Sequence, residues 1–311
     1  MPLIGRCLAV TDEPKPGQST YFASYMLQEP EFRCLQPRAV LTNFPLQFTA
    51  HKENPVRILG GFGVRLGDTI LGLQAAHVFR KYVSPEVKYH CYIVNDPRYS
   101  FAEAYDLFDG MTHEFFPLIA QNPVIHADFC DLFYRPEFNQ LTLQDFFFDL
   151  MGMDWQTIPD ADKAPVWLQE KIQPATDWRD TIWLVPHSSD PMRCFSPELI
   201  EEILKLNGAI KVMPRCRTLR EFLEKIAGCR GLISTDTSAY HIAAAWNKPS
   251  CVVFDRVHIV QDGYEQTSAV PASRRACYYL HVRAIEFPES ATEAMRDKKI
   301  FETIKEWLKD I

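Results

Sequence analysis

The sequence predicts an α/β protein with two doubly wound domains that face each other across a cleft, preceded by an N-terminal extension. Three observations lead to this fold class. The chain has 311 residues, which fits two domains at roughly 150 residues each. From Val56 onward, short apolar segments alternate with segments of helical periodicity, as in parallel sheets covered by helices. Glycines or hydroxyl-bearing residues follow several of the predicted strands, where such sheets bind ligands.

The first series of elements begins at Val56. Its strands are short apolar runs, and its helices have apolar residues at spacings of three and four. Glycines close two of the helices, as is common at helix C-termini. In chain order the series is VRILGGFG (strand), TILGLQAAHVFRKY (helix), KYHCYIVND (strand), SFAEAYDLFDGM (helix), PVIHADFC (strand) and LTLQDFFFDLMGM (helix).

The second series contains the best-marked helix of the chain. Ser196 is its predicted N-cap, Pro197 takes the first helical position and Gly208 follows its end. In chain order the series is TIWLVP (strand), SPELIEEILKLNG (helix), AIKVMP (strand), TLREFLEKIAG (helix), RGLISTD (strand), SAYHIAAAW (helix) and PSCVVFD (strand). The amphipathic run KIFETIKEWLKD predicts a last helix.

These two series set the predicted domain limits. Residues 1–55 are rich in proline and contain no strand–helix unit, so they predict an extension that packs on a domain or on a partner chain. Residues 56–172 form the first predicted Rossmann-like domain, residues 173–290 the second, and residues 291–311 the C-terminal helix. The polar segment EKIQPATDWRD, Glu170–Asp180, is the predicted linker.

Composition and charge exclude several classes of protein. Hydrophobic residues make up 47% and charged residues 23%, which excludes a disordered chain and a charge-rich coiled coil. The net charge of −7 argues against nucleic acid as the main ligand. No apolar run approaches the length of about 20 residues that spans a bilayer. The start, MPLIGRCLAV, has too short an apolar core for a secretory signal, so we expect a soluble cytoplasmic protein.

The cysteines indicate a reducing compartment. There are nine of them, which is an odd number, and none forms a C-x-x-C pair. This pattern favours reduced thiols over a disulfide scaffold or a zinc site. Cys91 and Cys251 lie within apolar runs and are predicted to be small core residues.

The first candidate ligand loop, GGFGVRLGDT, follows the first strand. Gly61, Gly63 and Gly67 give the spacing G-x-G-x-x-x-G, which differs from the G-x-G-x-x-G of dinucleotide-binding folds. Together with Arg65 they are candidates for a loop that contacts a ligand. Asp68 is either an N-cap of the following helix or a carboxylate that accepts a proton from a hydroxyl.

Two further candidate loops follow strands of the second series. PHSSDPMRCF offers the hydroxyls of Ser188 and Ser189 and the guanidinium of Arg193, which suits phosphate. For this loop, an ordinary polar turn is the alternative. STDTSAYHIAAAW combines a turn, hydroxyls, a helix start and a histidine, which together suit a diphosphate. For the histidine alone, a core position is the alternative. The candidates in this loop are Asp236, Thr237, Ser238 and His241.

The three loop segments resemble those of a known family. STDTSAYHIAAAWNKPSCVVF is similar to the D-T-x-x-x-H-x-A-A-x-x-x-K-P segment of heptosyltransferase-like glycosyltransferases (glycosyltransferase family 9). RLGDTILGLQAAHVFRKY resembles the N-terminal segment of this family, and PHSSDPMRCFSPELIEEIL resembles its phosphate loop. The resemblance runs from about Val56 to Asp255, which is about two-thirds of the chain.

The resemblance implies a GT-B fold, in which an acceptor domain and a nucleotide-sugar domain face each other. It makes the first loop an acceptor loop, with the residues Gly61, Gly63, Arg65 and Gly67. It implies that Asp68 is the general base and that Arg193 contacts the donor phosphates, with Ser188 and Ser189 beside it. Asp236, Thr237, Ser238 and His241 match the diphosphate-binding helix start. The chain departs from the family pattern at Arg193, usually Lys, and at Phe195, usually Trp. It also lacks the strand–helix unit whose Glu contacts the ribose, and no residue here is matched to that role.

The function implied is an inverting, metal-independent glycosyl transfer in the manner of lipopolysaccharide biosynthesis. The donor would be a nucleotide-sugar, ADP-heptose by resemblance, and no further cofactor or metal is expected. The acceptor would be a glycan, a lipid-linked molecule or a protein, with at most a peripheral membrane contact. Residues 1–55 could mediate oligomerisation. The alternatives are a GT-B-like nucleotide-binding or scaffold protein without turnover and, on the glycines alone, a dinucleotide-dependent oxidoreductase.

Overall fold

The chain divides into two compact units, Met1–Pro159 and Asp160–Ile311. The computed structural model describes residues 54–62, 65–93, 101–115, 127–129, 140–188, 193–254, 258–261, 264–267, 278–287 and 291–311. The predicted extension of residues 1–55 therefore lies outside the described part, except for its last two residues. The predicted domain limits stay a prediction.

The first unit contains a sheet of four parallel strands in the order β3-β2-β1-β4. The strands are β1 (Val56–Leu59), β2 (Tyr89–Ile93), β3 (Met111–Phe115) and β4 (Ala127–Asp128). The helices are α1 (Leu66–Tyr82), α2 (Ala102–Leu107) and α3 (Leu143–Leu150). Because β1 and β2 are parallel and α1 connects them, the end of β1 and the start of α1 lie at the same edge of the sheet.

Helix α1 is buried along most of its length. It packs on α3, and its apolar residues, such as Ile70 and Leu73, are withdrawn from solvent. Gly72 allows Phe62 to pack closely on α1, since a Cβ at that position would collide with the side chain of Phe62. The segment between β1 and α1 is thereby held against the helix that follows it.

The second unit contains a sheet of five parallel strands in the order β11-β8-β7-β5-β6. The strands are β5 (Ile182–Val185), β6 (Ile210–Val212), β7 (Gly231–Thr235), β8 (Ser250–Val253) and β11 (Val282–Ile285). A separate antiparallel pair joins β9 (His258–Gln261) to β10 (Tyr264–Thr267). The helices are α4 (Pro197–Leu206), α5 (Leu219–Gly228), α6 (Ser238–Ala245) and α7 (Glu293–Trp307). The α/β fold class is confirmed.

Helices cover both faces of this second sheet. On one face, Ile182 and Leu184 of β5 share a buried cluster with Ile203 of α4 and Ile304 of α7. On the other face, the indole of Trp183 donates a hydrogen bond to the backbone of α5. Because successive side chains of a strand point to opposite faces, two apolar layers enclose the sheet. This is the doubly wound arrangement that the alternating sequence predicts.

Two cysteines predicted to be small core residues are buried. Cys91 lies in β2 and Cys251 in β8, and neither is exposed to solvent. Burial raises the pKa of the Cys251 thiol to about 12, because a thiolate would lose its hydration there. These two thiols therefore stay protonated and act as small apolar side chains.

The segment Glu170–Asp180, predicted as a linker, packs on α5 within the second unit. Ile172 is buried, and the backbone N–H of Ala175 donates to the carbonyl oxygen of Glu224 at 3.2 Å. The contact is close because the last residue of α5 is Gly228. A Cβ at that position would overlap the carbonyl group of Ala175.

We therefore expect Gly228→Ala to lower the free energy of unfolding by about 2–4 kcal/mol, because backbone atoms cannot move aside as a flexible side chain can. Urea denaturation measures this change. Gly208→Ala is the matched control, since a Cβ at Gly208 meets nothing within 4 Å. A shift for Gly228→Ala no larger than that of the control would contradict the prediction.

Among the described residues, no helix has the length and apolar character needed to cross a bilayer.

Candidate functional site

The strand order of the second unit reverses between β5 and β7. From β5 the chain adds β6 on one side and then β7, β8 and β11 on the other. Sheets of this order bind ligands outside the carboxyl ends of the two strands at the reversal. The loops that follow β5 and β7 contain the predicted phosphate-binding residues. The topology thus brings both loops to the position where a ligand is expected.

Arg193 and Asp236 join these two loops directly. A guanidinium nitrogen, Nη1, of Arg193 donates to the backbone carbonyl oxygen of Asp236 at 3.3 Å. The same nitrogen lies 3.7 Å from the carboxylate oxygen Oδ2 of Asp236. Both side chains are largely buried, at 19% and 9% exposure. Because a pair in this setting is weakly screened by solvent, the carboxylate holds the Arg193 guanidinium in a fixed position at the switch point.

Helix α6 begins beside this pair. Thr237 is its N-cap, with a side-chain oxygen that accepts from the N–H of Ala239 at 3.4 Å. The hydroxyl of Thr237 is also 3.1 Å from that of Ser234, and Ser238 is the first helical residue. The first backbone N–H groups of a helix favour anions because they lack partners within the helix and lie at its positive end. A cation and a helix start therefore adjoin at one strand end.

His241, predicted to contact phosphate, is 4% exposed. Its Nδ1 lies 2.6 Å from the hydroxyl of Tyr279, and its ring centroid is 3.9 Å from that of Tyr240. The Nδ1 atom is thus engaged inside the unit, which agrees with a core histidine at this position. Phosphate contact by His241 stays a prediction. Tyr279 was not predicted from the sequence. It lies 38 residues from His241 in the chain, and no local pattern indicates the contact.

The loop after β5 is fixed at both of its described ends. The N–H of Phe195 donates to the carbonyl oxygen of Pro186 at 2.9 Å, and the N–H of Ser188 lies 3.4 Å from the sulfur of Cys194. Ser188 is half-buried, whereas Ser189 lies outside the described residues. These contacts bring the two described ends of the loop, which carry Ser188 and Arg193, close together.

The C-terminal helix supports the same loop. Ser196 caps α4 by accepting from the N–H of Leu199 at 3.2 Å, and its hydroxyl donates to Oδ2 of Asp297 in α7 at 2.9 Å. The predicted N-cap is confirmed. No local pattern indicates the contact with Asp297, which lies 101 residues away.

In the first unit, Gly61 makes a turn that a side chain would block. Its φ of +65° is a conformation that glycine adopts readily. The position of a Cβ is taken by the hydroxyl of Tyr105 and by Ile93. The N–H of Phe62 donates to that hydroxyl at 2.8 Å. Gly63 lies outside the described residues.

Asp68 lies in the first turn of α1 and is not its N-cap. The cap position belongs to Arg65, which makes no side-chain capping bond. The N-cap alternative for Asp68 is therefore wrong. Asp68 is half-buried and Arg65 is exposed. Gly67 is helical, so it belongs to α1 rather than to the loop. The helix start favours the ionised form of a carboxylate at this position.

The described part of the chain contains no group of three or more His, Cys, Asp and Glu side chains that could hold a metal ion. A D-x-D sequence, Asp160–Asp162, forms a short 3-10 turn at the start of the second unit.

Comparison with known proteins finds similarity to solved structures. No family model matches the sequence, and no curated protein matches it. The E. coli heptosyltransferase WaaC with ADP-2-deoxy-2-fluoro heptose has a TM-score of 0.52 at 12% identity, covering 81% of this chain and 99% of that chain. WaaC with ADP gives 0.52 at 13% identity, covering 82% and 99%.

A third similar structure is the iron-containing dodecameric glycosyltransferase TibC from enterotoxigenic E. coli. Its TM-score is 0.53 at 12% identity, and the match covers 86% of this chain and 78% of that chain. At these identities the likeness concerns the fold. The chain therefore has the α/β fold of the GT-B glycosyltransferases.

Proposed function

We propose that the protein is a glycosyltransferase that moves a sugar from a nucleoside diphosphate to an acceptor hydroxyl. The observation that carries this proposal is the junction of Arg193 with Asp236 beside the start of α6. This junction connects the loop after β5 with the loop after β7 at the switch point of the second sheet, through a hydrogen bond of 3.3 Å. Support also comes from the shared fold with WaaC and TibC, which are glycosyltransferases.

In this proposal the second unit stabilises the leaving group. As the bond between the anomeric carbon and the diphosphate oxygen breaks, negative charge collects on the diphosphate. Arg193 and the N–H groups at the start of α6 would bind that charge. Serine hydroxyls at 188 and 189 would supply further donors. Fixed donors of this kind need no rearrangement during the reaction, which is why they contribute several kcal/mol to catalysis.

The first unit would activate the acceptor. The carboxylate of Asp68 would take the proton of the acceptor hydroxyl as its oxygen bonds to the anomeric carbon. The new carbon–oxygen bond forms on the face opposite the departing diphosphate, so the configuration inverts. A positioned base of this kind contributes about 10²- to 10⁴-fold to the rate. No metal takes part, because Arg193 and the amides carry the charge of the leaving group.

For the donor we propose ADP-heptose. WaaC, which shares the fold, has been solved with ADP and with ADP-2-deoxy-2-fluoro heptose. For the acceptor we propose a glycan, a lipid-linked molecule or a protein, with the enzyme in the cytoplasm and at most a peripheral membrane contact. Residues 1–55 would mediate assembly, since a protein of this fold, TibC, is dodecameric.

A second candidate is a nucleotide-binding or scaffold protein without turnover. In the described part of the second sheet, β6 is the edge strand. The chain continues from β6 through α5 directly to β7. The strand–helix unit expected to contact the ribose is not found among these elements. A nucleotide bound without a ribose contact would be held mainly by its phosphates.

The discriminating experiment combines binding with turnover. We expect ADP, among ADP, UDP, GDP, TDP and CMP, to raise the melting temperature most, because a ligand of the folded state stabilises it. We also expect ADP release from ADP-heptose, with water or lipopolysaccharide core oligosaccharide as the acceptor. A thermal shift without ADP release would favour the second candidate. Neither effect with any nucleotide would contradict the glycosyltransferase and would favour the scaffold protein.

A further inference from the structure

The hydroxyl of Tyr105 lies where three segments of the first unit meet. Tyr105 belongs to α2 and is 2% exposed. Its hydroxyl accepts the N–H of Phe62 at 2.8 Å and occupies the space beside Gly61 where a Cβ would otherwise be. One buried oxygen atom therefore contacts the glycine-rich loop from an element that lies 43 residues further along the chain.

The residue that this hydroxyl holds also contacts α1. The side chain of Phe62 is 0% exposed and packs on Gly72 of α1 so closely that a Cβ at Gly72 would collide with it. In the first turn of the same helix, the hydroxyl of Thr69 donates to the carbonyl oxygen of Arg65 at 3.1 Å. Tyr105 therefore reaches α1 through Phe62.

These contacts connect the described end of the glycine-rich loop to the helix that bears Asp68. Phe62 is the last described residue before the gap in that loop, and its side chain lies on Gly72, one turn after Asp68 in α1. Burial raises the pKa of Tyr105 well above its ordinary value. The hydroxyl consequently keeps its hydrogen while it accepts the N–H of Phe62.

We propose that Tyr105 is a positioning residue that holds the glycine-rich loop and the first turn of α1, and with them the carboxylate of Asp68, in the geometry that transfer requires. This role rests on the proposed function. Tyr105 acts through Phe62 and does not itself touch a substrate. A displacement of about 1 Å in a reacting group can lower a rate 10²-fold, so a single hydroxyl can matter at a distance from the bond that forms.

The test compares Tyr105→Phe with Tyr89→Phe. Both substitutions remove one hydroxyl and keep a buried ring in the same unit, since Tyr89 is 0% exposed in β2. Three readouts are measured on the full chain. They are hydrogen exchange at the Phe62 amide, kcat and KM for the turnover of ADP-heptose with water as the acceptor, and the thermal shift with ADP.

For Tyr105→Phe we expect exchange at Phe62 to become about tenfold faster, because that N–H loses its acceptor. We expect kcat to fall about 10- to 100-fold, with KM and the ADP shift unchanged because the donor contacts lie in the second unit. Tyr89→Phe should leave all three readouts near the wild-type values.

Four results would overturn the proposal. Unchanged exchange at Phe62 would mean that the hydroxyl does not hold the loop. Faster exchange with an unchanged kcat would mean that Tyr105 is only a core residue. A kcat that falls equally in Tyr89→Phe would mean the same. Either result leaves the proposed function intact. Absence of ADP-heptose turnover in the wild type would instead contradict the proposed function, and the positioning role with it.

Discussion

Replacing Arg193 with glutamine is expected to weaken ADP binding about 100-fold. Glutamine keeps a hydrogen-bond donor but loses the positive charge that would face the diphosphate. Hydrogen bonds to charged groups contribute about 1.5–3 kcal/mol each, and a guanidinium can form two at once. The substitution also leaves the nearby carboxylate of Asp236, 3.7 Å away in the wild type, facing the anion without compensation. Isothermal titration with ADP measures the change.

Two further variants test whether the weakening is specific to the guanidinium of Arg193. Arg193→Lys should retain ADP binding within about tenfold, since it keeps the charge and loses only the planar fork. Arg220→Gln is the control for a lost surface charge. Arg220 is exposed on α5 and pairs with Glu224 at 3.8 Å, so its loss should leave ADP binding unchanged. Equal weakening in Arg193→Gln and Arg220→Gln would show that general charge, and not the switch-point geometry, governs binding.

The second large effect is expected at Asp68. Asp68→Asn should lower kcat for sugar transfer by about 10²- to 10⁴-fold, because an amide has a similar shape but cannot take the acceptor proton. ADP binding should not change, since the residues proposed to bind the phosphates belong to the second unit. Steady-state kinetics with ADP-heptose, together with titration of ADP, separates the two quantities.

Glu86→Gln is the control for this prediction. Glu86 is an exposed acid in the loop after α1, so its substitution removes one negative charge from the same unit without altering the first turn of that helix. It should leave kcat within about twofold, as expected for a surface substitution. If Asp68→Asn also kept wild-type kcat, another group would have to remove the acceptor proton.

The order of the elements from β5 to β8 was predictable because it is a local property. The strands β3, β9, β10 and β11 were not predicted. Apolar periodicity marks the buried face of each element, and residues such as Ser196 fix helix starts through hydrogen bonds to nearby amides. The meeting of the loop of Arg193 with the loop of Asp236 was also predictable. Parallel strands present their carboxyl ends at one edge, and the structure confirms a contact between these two residues.

Other features depend on contacts between residues that are distant in the chain, and no local sequence pattern indicates them. Tyr105, Tyr279 and Asp297 contact the candidate loops from 38 to 101 residues away. The N-cap alternative for Asp68 failed because the helix begins earlier, after a cap residue without a side-chain bond. The polar composition of Glu170–Asp180 predicts a linker, yet Gly228 lets this segment pack closely on α5.

The central claim is that a nucleoside diphosphate binds at the carboxyl ends of β5 and β7. A crystal structure of the protein with ADP tests it most directly. The account predicts the diphosphate within hydrogen-bonding distance of the Arg193 guanidinium and of the backbone N–H groups at the start of α6. Ordered ADP bound at any other place, with no contact to the Arg193 guanidinium, would contradict it.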